Sequence, residues 1–103
     1  MPVTEYVIPL GDNARKRHYH ETKKGTIIHF AVQLEIFHNE KWLPVVRYDA
    51  AHEHGFSHMD RYRKDGTKTK RKLDLRWNDT LSLAEEDIKE NWKDYARMFM
   101  EGK

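Results

Sequence analysis

The chain has 103 residues, enough for one domain with a modest core. Charged residues make up 35% and hydrophobic residues 38%, but net charge is only +2, and three Trp, five Tyr and four Met add surface worth burying. The absence of cysteine excludes a disulfide framework, a thiol nucleophile and any Cys-ligated zinc or iron–sulfur centre.

No apolar run approaches the about 18 residues of a membrane span, and the first residues do not read as a secretory leader. The expectation is a cytoplasmic protein with no membrane partner. No P-loop, dinucleotide-binding glycine pattern, HExxH or Ser-centred elbow occurs, which argues against kinases and dehydrogenases.

In chain order, residues 6–10 form a short apolar run, and Pro9 confines that strand to an edge or an end. Residues 12–24 are polar and read as a loop or a second, solvated strand. The clearest strand is 26–37, with Ile28, Phe30, Val32, Leu34 and Ile36 on one face and His29, Gln33 and Glu35 on the other. After a turn at 38–41, residues 42–49 return. Trp42, Val46 and Tyr48 are expected on one side, and Leu43, Val45, Arg47 and Asp49 on the other. Pro44 implies that part of this strand lacks a neighbour. A loop at 50–56 leads to a strand at 57–63. Asp65-Gly66 is a strong hairpin signal, and 68–75 completes that hairpin.

The period then changes. Leu81, Ala84, Ile88, Trp92, Tyr95, Ala96 and Phe99 lie on one helical stripe. Ser82 with Glu85 reads as a capping box, with Glu85, Glu86 and Asp87 in the first turn and Gly102 as the stop. Met98 and Met100 are read as gap fillers, and the charged helix surface as a solvated face. The predicted fold is α+β: an antiparallel meander of four to five strands packed against one C-terminal amphipathic helix.

Two features carry chemistry. The first is a histidine-rich stretch, with His52, His54 and His58 inside seven residues, flanked by Asp49 and Asp60 and preceded by Arg47. If the flanking strands pair, Asp49, His52, His58 and Asp60 lie near one end of a hairpin. Imidazole with carboxylate suits proton transfer or a divalent metal, although the spacing matches no zinc motif. The plain alternative is a polar loop whose aspartates cap turns and pair with Arg47. The second is a basic hairpin: Arg61, Arg63, Lys64, Lys68, Lys70, Arg71, Lys72 and Arg76 stand against Asp65 and Asp74, a net +6. Such charge suits phosphate, with Tyr62 or Trp77 available to stack on bases, but lysines also protect a free strand edge.

The string Arg47-Tyr48-Asp49-Ala50-Ala51-His52, followed by His58-Met59-Asp60, resembles a motif of short prokaryotic proteins of unknown activity. More distantly, the layout resembles the TumE-like toxins of toxin–antitoxin modules. Where those chains carry a Pro- and His-rich stretch, Gly55-Phe56-Ser57 stands here. The resemblance marks Arg47, Tyr48, Asp49, His52, His58 and Asp60, and it implies an RNA target and an antitoxin partner.

Three readings follow. The first is a binding module that contacts nucleic acid, RNA above all, or a partner protein through Arg61, Arg63, Lys68, Lys70, Arg71 and Lys72. The second is a metal-independent ribonuclease. There His52 and His58 act as base and acid, Arg47 steadies the phosphorane, and Asp49 or Asp60 orients an imidazole. The third is a His/Asp metal-binding domain. No cofactor is implied, and the sequence leaves the oligomeric state open.

Overall fold

The computed structural model describes residues 2–51 and 55–103. Six strands run in sequence order across one antiparallel sheet: β1 (Val3–Gly11), β2 (Ala14–Lys23), β3 (Thr26–His38), β4 (Lys41–Ala51), β5 (Ser57–Tyr62) and β6 (Lys68–Leu73). One helix among the described residues, α1 (Trp77–Met100), follows. The α+β meander is as expected, but the sheet has six strands rather than four to five.

The additional strand is β2. Its sequence lacks apolar alternation, yet it pairs with β1 on one side and β3 on the other. Its inner face is Ala14, Lys16 and His18, all buried. A polar inner face hides a strand from hydrophobic periodicity. Tight turns close the hairpins: Lys24 and Gly25 both have positive φ, as do Asn39 and Glu40, the twist that two-residue hairpin loops require.

Two bulges change which residues face the core. Between β3 and β4 the register moves from Leu34↔Val46 to Glu35↔Pro44, leaving Val45 as the extra residue. Parity flips there, so Leu43 packs against the core and Trp42 moves to the opposite face, where its ring meets Phe37 at 5.2 Å. This corrects the expectation that Trp42 shares a side with Val46 and Tyr48. A second irregularity after Glu21↔His29 leaves out Ile28 and brings Ile27, instead of Ile28, against the core. The two prolines within strands sit where a missing N–H is harmless. Pro9 is on the edge strand, and Pro44 precedes the β4–β5 ladder, which starts at Val46.

The helix lies over β3 and β4 and reaches β5. Phe30, Val32, Leu34, Val46 and Tyr48 meet Ala84, Ile88 and Phe99 in the core. The helix begins at Trp77, earlier than the capping-box reading, and Ser82 and Glu85 lie inside it. The reason is tertiary. Thr80 is fully buried, and its hydroxyl hydrogen-bonds Ser57 Oγ at 2.7 Å and donates to the Arg76 carbonyl at 3.2 Å. Trp77 meets Phe30 edge-on at 6.2 Å. These contacts hold a first turn that has no side-chain cap and whose acid is Asp79. The far end stops at Gly102, as expected. With φ +81, its N–H reaches the Phe99 carbonyl, and the Lys103 N–H reaches that of Met98, a Schellman closure. Among the described residues no helix is long and apolar enough to cross a membrane.

One helix covers only part of a six-stranded sheet, which spans about 24 Å at about 4.8 Å per strand. Among the described residues no element packs on the opposite face.

Candidate nucleic-acid interface

The register arranges this open face into rows that cross the sheet. One row is Glu5, Tyr19, Ala31, Asp49, His58 and Lys72; the next is Val7, Arg17, Gln33, Arg47, Asp60 and Lys70. Tyr62 opposite Lys68 adds to the β5–β6 end. The strand–loop–strand argument therefore places four of its five candidates together. Asp49 faces His58, and Arg47 faces Asp60, on neighbouring strands. His52 lies outside the described residues.

Arg47 is held on both sides. Its Nε donates to Asp49 at 3.3 Å and its Nη1 to the side-chain Oε1 of Gln33 at 3.2 Å. The Gln33 amide donates onward to Glu35 at 2.6 Å, and Arg15 and Arg17 donate to the same carboxylate at 2.6 and 3.3 Å. Burial of Glu35 works against its charge, but the bonds from Arg15 and Gln33 and the guanidinium charges prevail and hold it below the ordinary carboxylate range. Asp60 is also buried, with Lys68 Nζ 3.8 Å away. One oxygen each of Asp49 and Asp60 is buried without a hydrogen-bond partner among the described residues. Burial and the nearby Asp60 raise the Tyr62 phenol above its usual value.

The six basic candidates separate by face. Lys68, Lys70 and Lys72 alternate along exposed β6, one of the two edge strands, and share the open face with Arg47. Lys68 Nζ lies 5.6 Å above the Tyr62 ring, and Lys72 Nζ 4.2 Å above exposed Phe56. Arg63 sits at the tip of the hairpin, whose Asp65 accepts from both the Thr67 N–H and hydroxyl and is held below the ordinary carboxylate range by them. Arg61 and Arg71 project to the helix side. The Arg61 guanidinium lies 5.2 Å over the Tyr95 ring, and that of Arg71 lies 3.7 Å from Met59 Sδ. Of the expected phosphate contacts, these two belong to the other surface.

Tyr48, the remaining residue of the Arg-Tyr-Asp string, also points to the helix. Its hydroxyl donates to Asp87 at 2.5 Å, and Tyr95 donates to the same oxygen at 2.7 Å. Burial, then Asp87, pushes both phenols up, Tyr95 to about 12. Strand alternation thus divides the motif: Arg47 and Asp49 face outward, while Tyr48 ties the sheet to α1.

Sequence reasoning missed a second polar cluster, in a groove of about 890 Å³ between β1, β2 and α1. Lys16 Nζ donates to Glu85. The other Glu85 oxygen meets His18 Nδ1 at 2.9 Å, and His18 Nε2 meets His20 Nδ1 at 2.8 Å. With Glu85 ionised, the consistent tautomers have His18 donate to Glu85 and His20 donate to His18. Burial lowers the His18 pKa, with the Glu85 bond opposing it. Tyr6 stacks on His18 at 4.5 Å. The signal was the period-two run Lys16, His18, His20, which an apolar-alternation search passes over. Among the described residues no group of three or more histidines and acids is placed to hold a metal ion.

No curated protein matches this chain, and no solved structure does. A family model matches residues 1–103, and the chain belongs to that family, DUF7718, a domain of unknown function.

Proposed function

We propose that this protein is a binding module for single-stranded nucleic acid, RNA in particular, working on its open sheet face in a cytoplasm. The observation that carries the reading is the lysine row of β6. Lys68, Lys70 and Lys72 stand on alternate residues, about 6.7 Å apart along an extended strand. That spacing is comparable with successive phosphates of an extended single strand. Beside the row, Arg47 offers a further cation, and Tyr62 and exposed Phe56 offer ring faces for bases. Edge protection alone explains lysines on β6, but not the aromatic rings beneath two of them.

A second reading is favoured by one observation, the cross-strand meeting of Arg47, Asp49, His58 and Asp60. It is a toxin-type ribonuclease that uses those groups with His52. One titration addresses both. ¹⁵N-labelled protein would receive a uridine decamer while RNA integrity is followed on a gel. Binding predicts amide shifts at Arg47, His58, Lys68, Lys70 and Lys72 with intact RNA. Cleavage that disappears in His58→Ala supports the ribonuclease. Shifts confined to the groove between β1, β2 and α1 would overturn the choice of face.

A further inference from the structure

Ala31 is the small residue in its row. Between Tyr19 and Asp49 it leaves a depression of about 230 Å³ on the open face. Tyr19 and His29 form an aromatic corner, their rings 5.0 Å apart at 64°. Arg17, Gln33, Arg47 and Glu5 complete the lining. Tyr19 is fixed by its hydroxyl bond to Glu21 at 3.1 Å, and Arg47 by its bonds to Asp49 and Gln33. These bonds hold the pocket's walls: an aromatic corner beside Arg17 and Arg47, with the Glu5 carboxylate 3.7 Å from the Arg17 guanidinium.

Resting on the proposed nucleic-acid module, we infer that this pocket receives one unstacked base, and that the base is guanine. Size and shape call for a single planar heterocycle, since the depression has room for one base and not for a pair. Single-stranded RNA is read in this way, with a splayed base stacked on an aromatic ring and its edges hydrogen-bonded. Among the bases, guanine presents acceptors O6 and N7 to the arginine side of the pocket, and donors N1–H and N2–H to the Glu5 carboxylate, where they compete with its pairing to Arg17. Uracil and cytosine leave much of the slot unfilled. Adenine brings an amino donor to the position where the arginines also donate.

The test uses fluorescein-labelled decamers: uridine only, and the same strand with a single central guanosine or adenosine, read by anisotropy at one salt concentration. The guanosine strand is expected to bind about tenfold more tightly than the uridine strand, as one good base contact would give. Ala31→Val, which fills the depression, and Tyr19→Leu, which removes the stacking ring, should each bring the ratio to about one. Lys68→Ala/Lys70→Ala/Lys72→Ala should weaken every strand while the ratio persists. Equal binding of all three strands would overturn the pocket and leave the module standing, and tighter binding of the adenosine strand would overturn guanine. No binding by any strand would overturn both the pocket and the module.

Discussion

Replacing Glu35 by Gln tests how the open face is held. Glu35 is 5% exposed, and its carboxylate accepts three bonds, from Arg15 and Gln33 at 2.6 Å and from Arg17 at 3.3 Å. Gln keeps the shape but removes the charge and turns one acceptor into a donor that faces other donors. Bonds to charged groups contribute about 1.5–3 kcal/mol each. Arg15 and Arg17 are 21% and 41% exposed in their side chains, so water recovers part of that loss. We expect Glu35→Gln to cost about 2–3 kcal/mol, or roughly 10–20 °C in Tm for a domain of this size. Urea unfolding followed by tryptophan fluorescence at pH 7 measures it, with an unchanged m-value. There is also an acid signature. With its folded pKa below the ordinary 4.5, Glu35 contributes stability that is present above that pH and lost as pH falls beneath it. The variant should lack this part of the acid limb. A loss under about 0.5 kcal/mol at pH 7 would refute the view that Glu35 organises this face.

Three other outcomes are expected. Thr80→Val strands the Ser57 hydroxyl in the core and should cost about 1–3 kcal/mol in the same unfolding assay, whereas a neutral result would detach the early helix start from that bond. Ile88→Ala opens a cavity beneath the helix and should cost about 2–5 kcal/mol; a loss below 1 kcal/mol would mean that α1 does not pack as described. Because burial lowers the His18 pKa, the unfolded chain takes up the proton first as pH falls below 6.5, so stability declines there. Urea midpoints between pH 7.5 and 5.5 should fall more steeply for the wild type than for His18→Gln, and parallel curves would contradict the shift.

What the sequence discloses follows from local chemistry. Phe30, Val32 and Leu34 alternate because one face of β3 meets the helix, and Asp65-Gly66 marks its hairpin because the turn needs positive φ at Gly66. The meeting of Arg47, Asp49, His58 and Asp60 was also legible, because antiparallel pairing of the two strands brings them into register. The rest depends on neighbours distant in sequence. Whether Lys16 and His18 can be buried depends on Glu85, 69 and 67 residues away. The bulge at Val45 turns Trp42 over, and no residue type announces it. The pocket around Ala31 draws on four strands, so no stretch of sequence contains it. Arg61 and Arg71 look like phosphate contacts in a charge count, and only the pleat sends them to the helix side.

The most direct test of the central claim is the salt dependence of RNA binding. Affinity for a uridine decamer would be measured by anisotropy from 50 to 300 mM salt, for the wild type and for Lys68→Ala/Lys70→Ala/Lys72→Ala. Each phosphate neutralised on a single strand contributes about 0.7 to the slope of log affinity against log salt. The β6 row should therefore account for a slope difference of about 2. Wild-type binding that ignores salt, or a triple variant with an unchanged slope, would contradict a phosphate-tracking lysine row on β6.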